Sequence, residues 1–240
     1  PQDGNICIHV VGAGGGGTGL YNEARAGGAG GYSKKNSLAV TSGQTFTVVV
    51  GAGGDGGDGG NGADGGNSTV AGGNLSSTLT ANGGSGGTSS AHGSGGAASN
   101  GDVNRTGGAG NSGGGGAVGV FGTGNSSDRY GESQGAGMSD VNGGGLACSG
   151  FGHIVGGPAG DAYRQHFTGV GDSGGLTLVG GDLSGGGQHN RNALANSSFN
   201  CIGGAGGIGG GGGAGRNPYG DTYSMGGCGG DGVVLIQYLP

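Results

Sequence analysis

Glycine supplies 78 of the 240 residues, while apolar residues reach only 30%, aromatic residues 5%, and Trp is absent. Too few large side chains exist to fill the core expected at this length, so cohesion must come from backbone hydrogen bonds repeated many times. The formal net charge is −6, with 8 Lys+Arg against 14 Asp+Glu, and Lys34-Lys35 is the longest basic run. That balance provides no phosphate-tracking face, so nucleic acid is not expected as a partner.

Disorder is argued against by the low charged fraction of 9% and by the strand patterns that bracket the chain. No run of 18 apolar residues occurs, so no membrane insertion by a helix is expected. The chain opens at Pro1 with neither Met nor a signal peptide, which leads one to expect a processed or trimmed N-terminus.

In chain order, the β-branched run Ile6-Cys7-Ile8-His9-Val10-Val11 predicts a strand over residues 5–11. It runs into glycines 12–17. After a loop at Tyr21–Arg25 and more glycine, residues 37–50 read as two short strands joined by a turn at Ser42-Gly43. The last clear strand is 232–238, expected to pair with the first and tie the termini into one small β element.

Between them glycine recurs at positions 53, 56, 59, 62 and 65, with related runs at 83–87, 107–116, 143–145, 156–160, 185–187 and 203–215. A period of three suits polyproline II, which has three residues per turn and unused backbone groups. Collagen is excluded, because only four prolines occur and the runs break. The expected architecture is mostly irregular/β: one domain over 1–240, a sandwich-like bundle of short glycine-rich polyproline-II-type helices beside the small β element.

Several motifs tempt and are declined. Gly12–Gly17 satisfies the dinucleotide G-x-G-x-x-G spacing, but no helix of useful length follows to hold a pyrophosphate. Gly171-Asp172-Ser173-Gly174-Gly175, with His92 upstream, copies a serine-protease nucleophile segment. The packed apolar barrels which that chemistry requires cannot be built from this composition. Asp55, Asp58 and Asp64 lack the nine-residue repeat of calcium-binding β-helices and read as solvated turns. Sequons stand at Asn67, Asn74, Asn104, Asn125 and Asn196. Roughly two or three are expected by chance with so much Asn, Ser and Thr, and they would matter only in a secreted eukaryotic protein. Cys7, Cys148, Cys201 and Cys228 fit no zinc spacing; they read as buried thiols or as one or two disulfides whose pairing stays open. Neither a metal nor a cofactor is expected, and no enzyme activity.

The breaks between glycine runs carry the candidate binding residues: Tyr21, Phe121, Tyr130, Phe151, His153, Tyr163, His166, Phe167, His189 and Tyr219. Each could simply anchor its own loop. Together with Ser, Gly and Asn they also match the composition of adaptable binding loops, in which Tyr gives large contact area at low entropy cost.

The order of pieces, a strand ending Val-Val-Gly-Ala-Gly-Gly-Gly-Gly, then residues 37–54, then Leu79–Gly87, then the closing Gly-Gly-Asp-Gly-Val-Val-Leu-Ile-Gln-Tyr, resembles the glycine-rich domain of bacteriophage tail-fibre and tail-tip adhesins. The resemblance covers essentially the whole chain and is most specific over 37–87. It implies a virion protein that attaches to a bacterial surface receptor, an outer-membrane protein or saccharide, through variable loops. It also implies attachment to the rest of a tail fibre, with a trimer as one stoichiometry. Four cysteines and long loops after residue 117 depart from that pattern. Two other classes fit the composition: a springtail-type ice-binding protein, also a glycine-rich bundle, and a structural extracellular glycine-rich module.

Overall fold

A computed structural model describes residues 3–20, 25–111, 114–115, 118, 124, 126, 190–191, 201–202, 205–216 and 224–239. Among these there is no helix. The strands are β1 (Gly4–Val11), β2 (Gly19–Leu20), β3 (Tyr32–Val40), β4 (Phe46–Val49), β5 (Ser68–Gly72), β6 (Leu79–Ala81), β7 (Ala98–Ser99), β8 (Val103–Arg105), β9 (Asn190–Arg191), β10 (Cys201–Ile202), β11 (Gly215–Arg216), β12 (Ser224–Met225) and β13 (Val233–Leu239). They form two antiparallel four-stranded sheets, ordered β13-β1-β3-β8 and β4-β5-β6-β7, and two small parallel groups, β2-β11-β9 and β10-β12.

The last strand pairs over its whole length with the first, from Asn5 opposite Leu239 to Val11 opposite Val233, as their matched β-branched composition predicts. The β element is larger than the sequence suggested. The polar stretch Ser33-Lys34-Lys35-Asn36 precedes the strand expected from residue 37, yet it lies in β3, which pairs with β1. The turn at Ser42-Gly43 is present, with Gln44 N–H donating to the Thr41 carbonyl and Gly43 at φ +89°, a value that favours glycine. It joins strands of different sheets rather than a hairpin.

The two large sheets stack face to face. Ile6, Ile8 and Val10 alternate onto one face of β1 and meet Val70, Leu79 and Ala81 of the other sheet, with Leu38 and Val40 alongside. On the opposite face of β1, Val11 packs with Tyr32 and Val118.

From this sandwich the chain makes excursions of glycine-rich extended backbone, out and back, and these pack into a bundle. Residues 12–19 are buried throughout, and their amides rotate among three neighbours with a period of three. Gly12, Gly15 and Thr18 donate to Gly31, Gly28 and Arg25; Ala13, Gly16 and Gly19 donate to Gly66, Ala63 and Gly60; Gly14 and Gly17 donate to Gly230 and Gly227, all at 2.8–3.1 Å. The carbonyls follow the same rule. Those of Ala13 and Gly16 accept from Gly84 and Gly87, those of Gly14 and Gly17 from Gly54 and Gly57, and those of Gly15 and Thr18 from Gly212 and Gly215. Residues 12–19 thus have six neighbours, three antiparallel ones that accept and three parallel ones that donate. The register of these bonds makes the antiparallel acceptors descend by three as the donors in residues 12–19 climb by three.

Such an arrangement leaves no room for side chains. A Cβ on Gly14 would come closer than 3.0 Å to the Gly210 carbonyl, and one on Gly15 equally close to that of Ser85. Glycine is required here for close approach rather than for an unusual φ.

Candidate functional site

The out-and-back course gives the bundle two different ends. At one end stands the sandwich. At the other the chain turns at Asp58-Gly59-Gly60, where Gly59 has φ +61°, and at Thr88–Ala91, where Thr88 N–H donates to the Ala91 carbonyl. The small parallel groups lie at this far end too. Leu20 pairs with Arg216 and Arg216 with Arg191, while Ile202 pairs with Met225, which also bridges Asp58. The chain therefore runs outward through Leu20, Arg191 and Arg216 and returns through Arg25, Cys201 and Ser224, all at one end.

All ten candidate binding residues lie outside the described residues, but their flanks separate them. Tyr21 follows Leu20 and Tyr219 falls between Arg216 and Ser224, so both connections spring from the far end. His189 directly precedes β9, whose Arg191 is also there. Phe121 is different: Val118 packs against Val11 and Tyr32, and Gly124 N–H donates to the Thr106 carbonyl, so its flanks sit at the sandwich end. Tyr130, Phe151, His153, Tyr163, His166 and Phe167 belong to the stretch 127–189, with Ser173.

The declined motifs can be placed as well. Gly12–Gly17 runs on in extended chain to β2, in the middle of the bundle, with every amide donating to a neighbouring segment. Asp64, expected in a solvated turn, instead accepts from the Gly86 amide at 2.7 Å. Asn61 does the same for Ser89 at 2.7 Å and Asn67 for Gly83 at 2.9 Å. These three acceptors, spaced by three, meet three amides spaced by three on the antiparallel segment 83–89. Where the bundle has no further backbone carbonyl to offer, a side-chain oxygen takes its place. The sequence signal was the period Asn61, Asp64, Asn67, and it went unread. Two further sequon asparagines are also engaged: Asn74 with Gln44 and the Ala39 carbonyl, Asn104 with Ser33 and Gly101. No group of three metal-ligating side chains occurs among the described residues. Cys7 is a buried free thiol and Cys228 an exposed one.

One polar network was not anticipated. The outer face of β1 buries His9, whose Nδ1 is 2.7 Å from the Tyr32 hydroxyl and whose Nε2 is 3.2 Å from Cys7 Sγ. Burial, and then the charge of Lys34 opposite it in the ladder, lower the His9 pKa to about 4, so the ring is neutral at pH 7. One ring nitrogen then donates and the other accepts. Burial likewise raises the Cys7 pKa, which keeps the thiol protonated and unreactive. At the sandwich surface Lys35 Nζ lies 2.6 Å from Asp102 Oδ1, and Asn36 N–H donates to Oδ2 at 2.8 Å. The lysine hydrogen bond and then the backbone one hold the Asp102 carboxyl below its usual range.

The far end is thus built from short parallel strands, while the His9 network is buried in the sandwich face. None of the curated proteins compared with the chain matches it. A family model described as a glycine-rich domain matches residues 1–239, and the chain belongs to that glycine-rich domain family.

Proposed function

We propose that the protein is a phage tail-fibre tip adhesin that binds a bacterial surface receptor without turning it over. The observation that carries this reading is the two-ended bundle. Chain exits at Leu20, Arg191 and Arg216 and returns at Arg25, Cys201 and Ser224 are clustered opposite the sandwich. The connections of four, nine and seven residues begin and end on this described backbone, and short loops tied at both ends lose less ordering entropy on binding. The period of three in both donors and acceptors supports polyproline-II geometry for the bundle segments, since that helix turns once in three residues and directs its unused N–H and C=O groups outward.

The test is saturable binding of labelled protein to a panel of Gram-negative cells, with loss on deletion of one surface receptor. Tyr21→Ala with Tyr219→Ala should weaken binding at least tenfold, about 1.4 kcal/mol or more, while Phe121→Ala leaves it unchanged. Absence of binding to every cell type, or equal loss with Phe121→Ala, would count against the far end as the contact surface.

One observation favours the ice-binding reading. Ala91, Ser94 and Ala97 are exposed at a spacing of three along one bundle segment, a regular row of small residues. Thermal hysteresis in a cooling assay distinguishes the two, since an adhesin shows none.

A further inference from the structure

The sandwich is open on one side. Strands β13 and β4 are the edges of their sheets, and β13 contacts β5, so both edges lie on the same flank. Val48 is in register with Val70 of the buried core, and Ile236 and Tyr238 are in register with core residues Ile8 and Ile6. These three side chains therefore point between the sheets, yet they are 44%, 39% and 60% exposed. Val49 on the outer face is 49% exposed and Val50 51%. Among the described residues nothing covers the apolar core on this flank.

The edge of β4 is also open along its backbone. Gly73 N–H donates to the Thr45 carbonyl, and the alternation of an antiparallel ladder then turns the amides and carbonyls of Phe46 and Val48 away from β5. No partner for them occurs among the described residues. Among the described residues nothing guards this edge. No charge and no proline occur in the nineteen residues between Lys35 and Asp55, whereas exposed edges are normally protected by Lys, Pro or a bulge. Val48, Val49 and Val50 also set three consecutive residues of high β-propensity at an exposed edge.

We infer that this flank binds a second copy of the chain, with β4 pairing antiparallel to β4 of the copy about a two-fold axis. Charge and symmetry select that occupant. A strand without charged residues sets no like charges opposite one another when it meets itself, although the whole chain carries −6. An antiparallel edge is also self-complementary in its hydrogen bonds, so one two-fold satisfies both copies. Pairing would extend the β4-β5-β6-β7 sheet into one of eight strands and cover Val48, Val49 and Val50 together.

Analytical ultracentrifugation of the full chain from about 1 to 200 µM, the range in which modest interfaces associate, tests this. The wild type should sediment as a concentration-dependent dimer. Val49→Lys, on the face away from the core, should weaken association at least about tenfold by setting like charges across the two-fold. Val48→Pro removes an amide that faces away from β5, so it should leave the monomer folded while abolishing the dimer. Hydrogen exchange offers a readout free of substitutions: the amides of Phe46 and Val48 should slow as the wild type is concentrated. A wild type that stays monomeric throughout, or a dimer untouched by both variants with fast exchange at Phe46 and Val48, overturns the inference.

Discussion

In the sandwich, Ile8, Val70 and Leu79 are fully buried because their side chains fill the space between two sheets. In the bundle, Gly14, Gly15 and Gly16 are buried because no side chain fits there at all. The first region gains from apolar area removed from water, at about 25 cal/mol per Å². The second gains from peptide hydrogen bonds, each worth only about 1 kcal/mol net, and works against the large entropy loss of ordering glycine. Number and completeness must make up the difference, and residues 12–19 show how: eight amides in succession find acceptors on three different segments. The two regions should therefore fail in opposite ways. A sandwich residue suffers when atoms are removed, a bundle glycine when one is added.

Gly14→Ala puts the largest stress on that contrast. Its Cβ meets the Gly210 carbonyl, which is itself held by the Gly230 amide, so neither neighbour can yield without breaking further bonds. We expect a loss of about 4 kcal/mol or more, at the top of the range for single substitutions, read from the urea midpoint. The adjacent Ala13→Gly removes one fully buried methyl from the same segment and should lose only about 1 kcal/mol. Equal effects at the two positions would mean that the bundle relaxes and is not close-packed backbone. In the sandwich the sign of the volume change reverses: Leu79→Ala should cost about 3 kcal/mol by leaving a cavity beside Ile8 and Val70.

Much of this division was legible in the sequence. The pairing of the terminal strands followed from two β-branched runs at the ends, and the bundle from glycine at 53, 56, 59, 62 and 65. The second sheet was not, because β6 and β7 are three and two residues long and built of Leu-Thr-Ala and Ala-Ser. Such fragments carry no periodicity and are strands only by virtue of their neighbours. Strand β3 was expected only from residue 37 for a related reason, since the polar Lys34 and Lys35 carry no strand pattern until β1 supplies the ladder. The His9 network needs a register spanning more than twenty residues and a bulge between Ile6 and Ile8, which no local pattern encodes. Of the candidate contact residues, the composition of the loops could name them but not sort them. Only the flanks, at the far end for Tyr21 and Tyr219 and at the sandwich end for Phe121, did that.

The pH dependence sharpens the comparison, because the only buried imidazole placed among described strands is in the sandwich face and none serves the segment 12–19. His9 takes up a proton near pH 6.5 when unfolded and near 4 when folded. Between those values the unfolded chain binds more protons, so stability is complete above pH 6.5 and declines as pH falls toward 4. By pH 5 the loss attributable to this ring is about 2 kcal/mol. Unfolding of the wild type and of His9→Gln, compared across pH 5 to 7, should show a steeper slope for the wild type; parallel slopes would mean that His9 is solvated or already charged.

The smallest expected effect tests how a bundle made of backbone ends at its boundary. Asp64, Asn61 and Asn67 supply side-chain oxygens to amides of the segment 83–89 that would otherwise face out of the bundle. Asp64→Ala leaves the Gly86 amide, in a buried residue, without its acceptor. The expected cost is about 1 kcal/mol, since Asp64 itself is exposed and water can partly replace it. Asp64→Asn keeps the oxygen and removes the charge, so it should recover most of that loss. If instead the acidic charge mattered, Asn would behave like Ala and the effect would shrink in salt. The geometry favours the oxygen, because Asn already occupies the two equivalent positions three residues to either side. Hydrogen exchange at Gly86 reads the same contact locally, and in Asp64→Ala it should speed up there before any change appears at Gly84, whose amide donates to the Ala13 carbonyl inside the bundle.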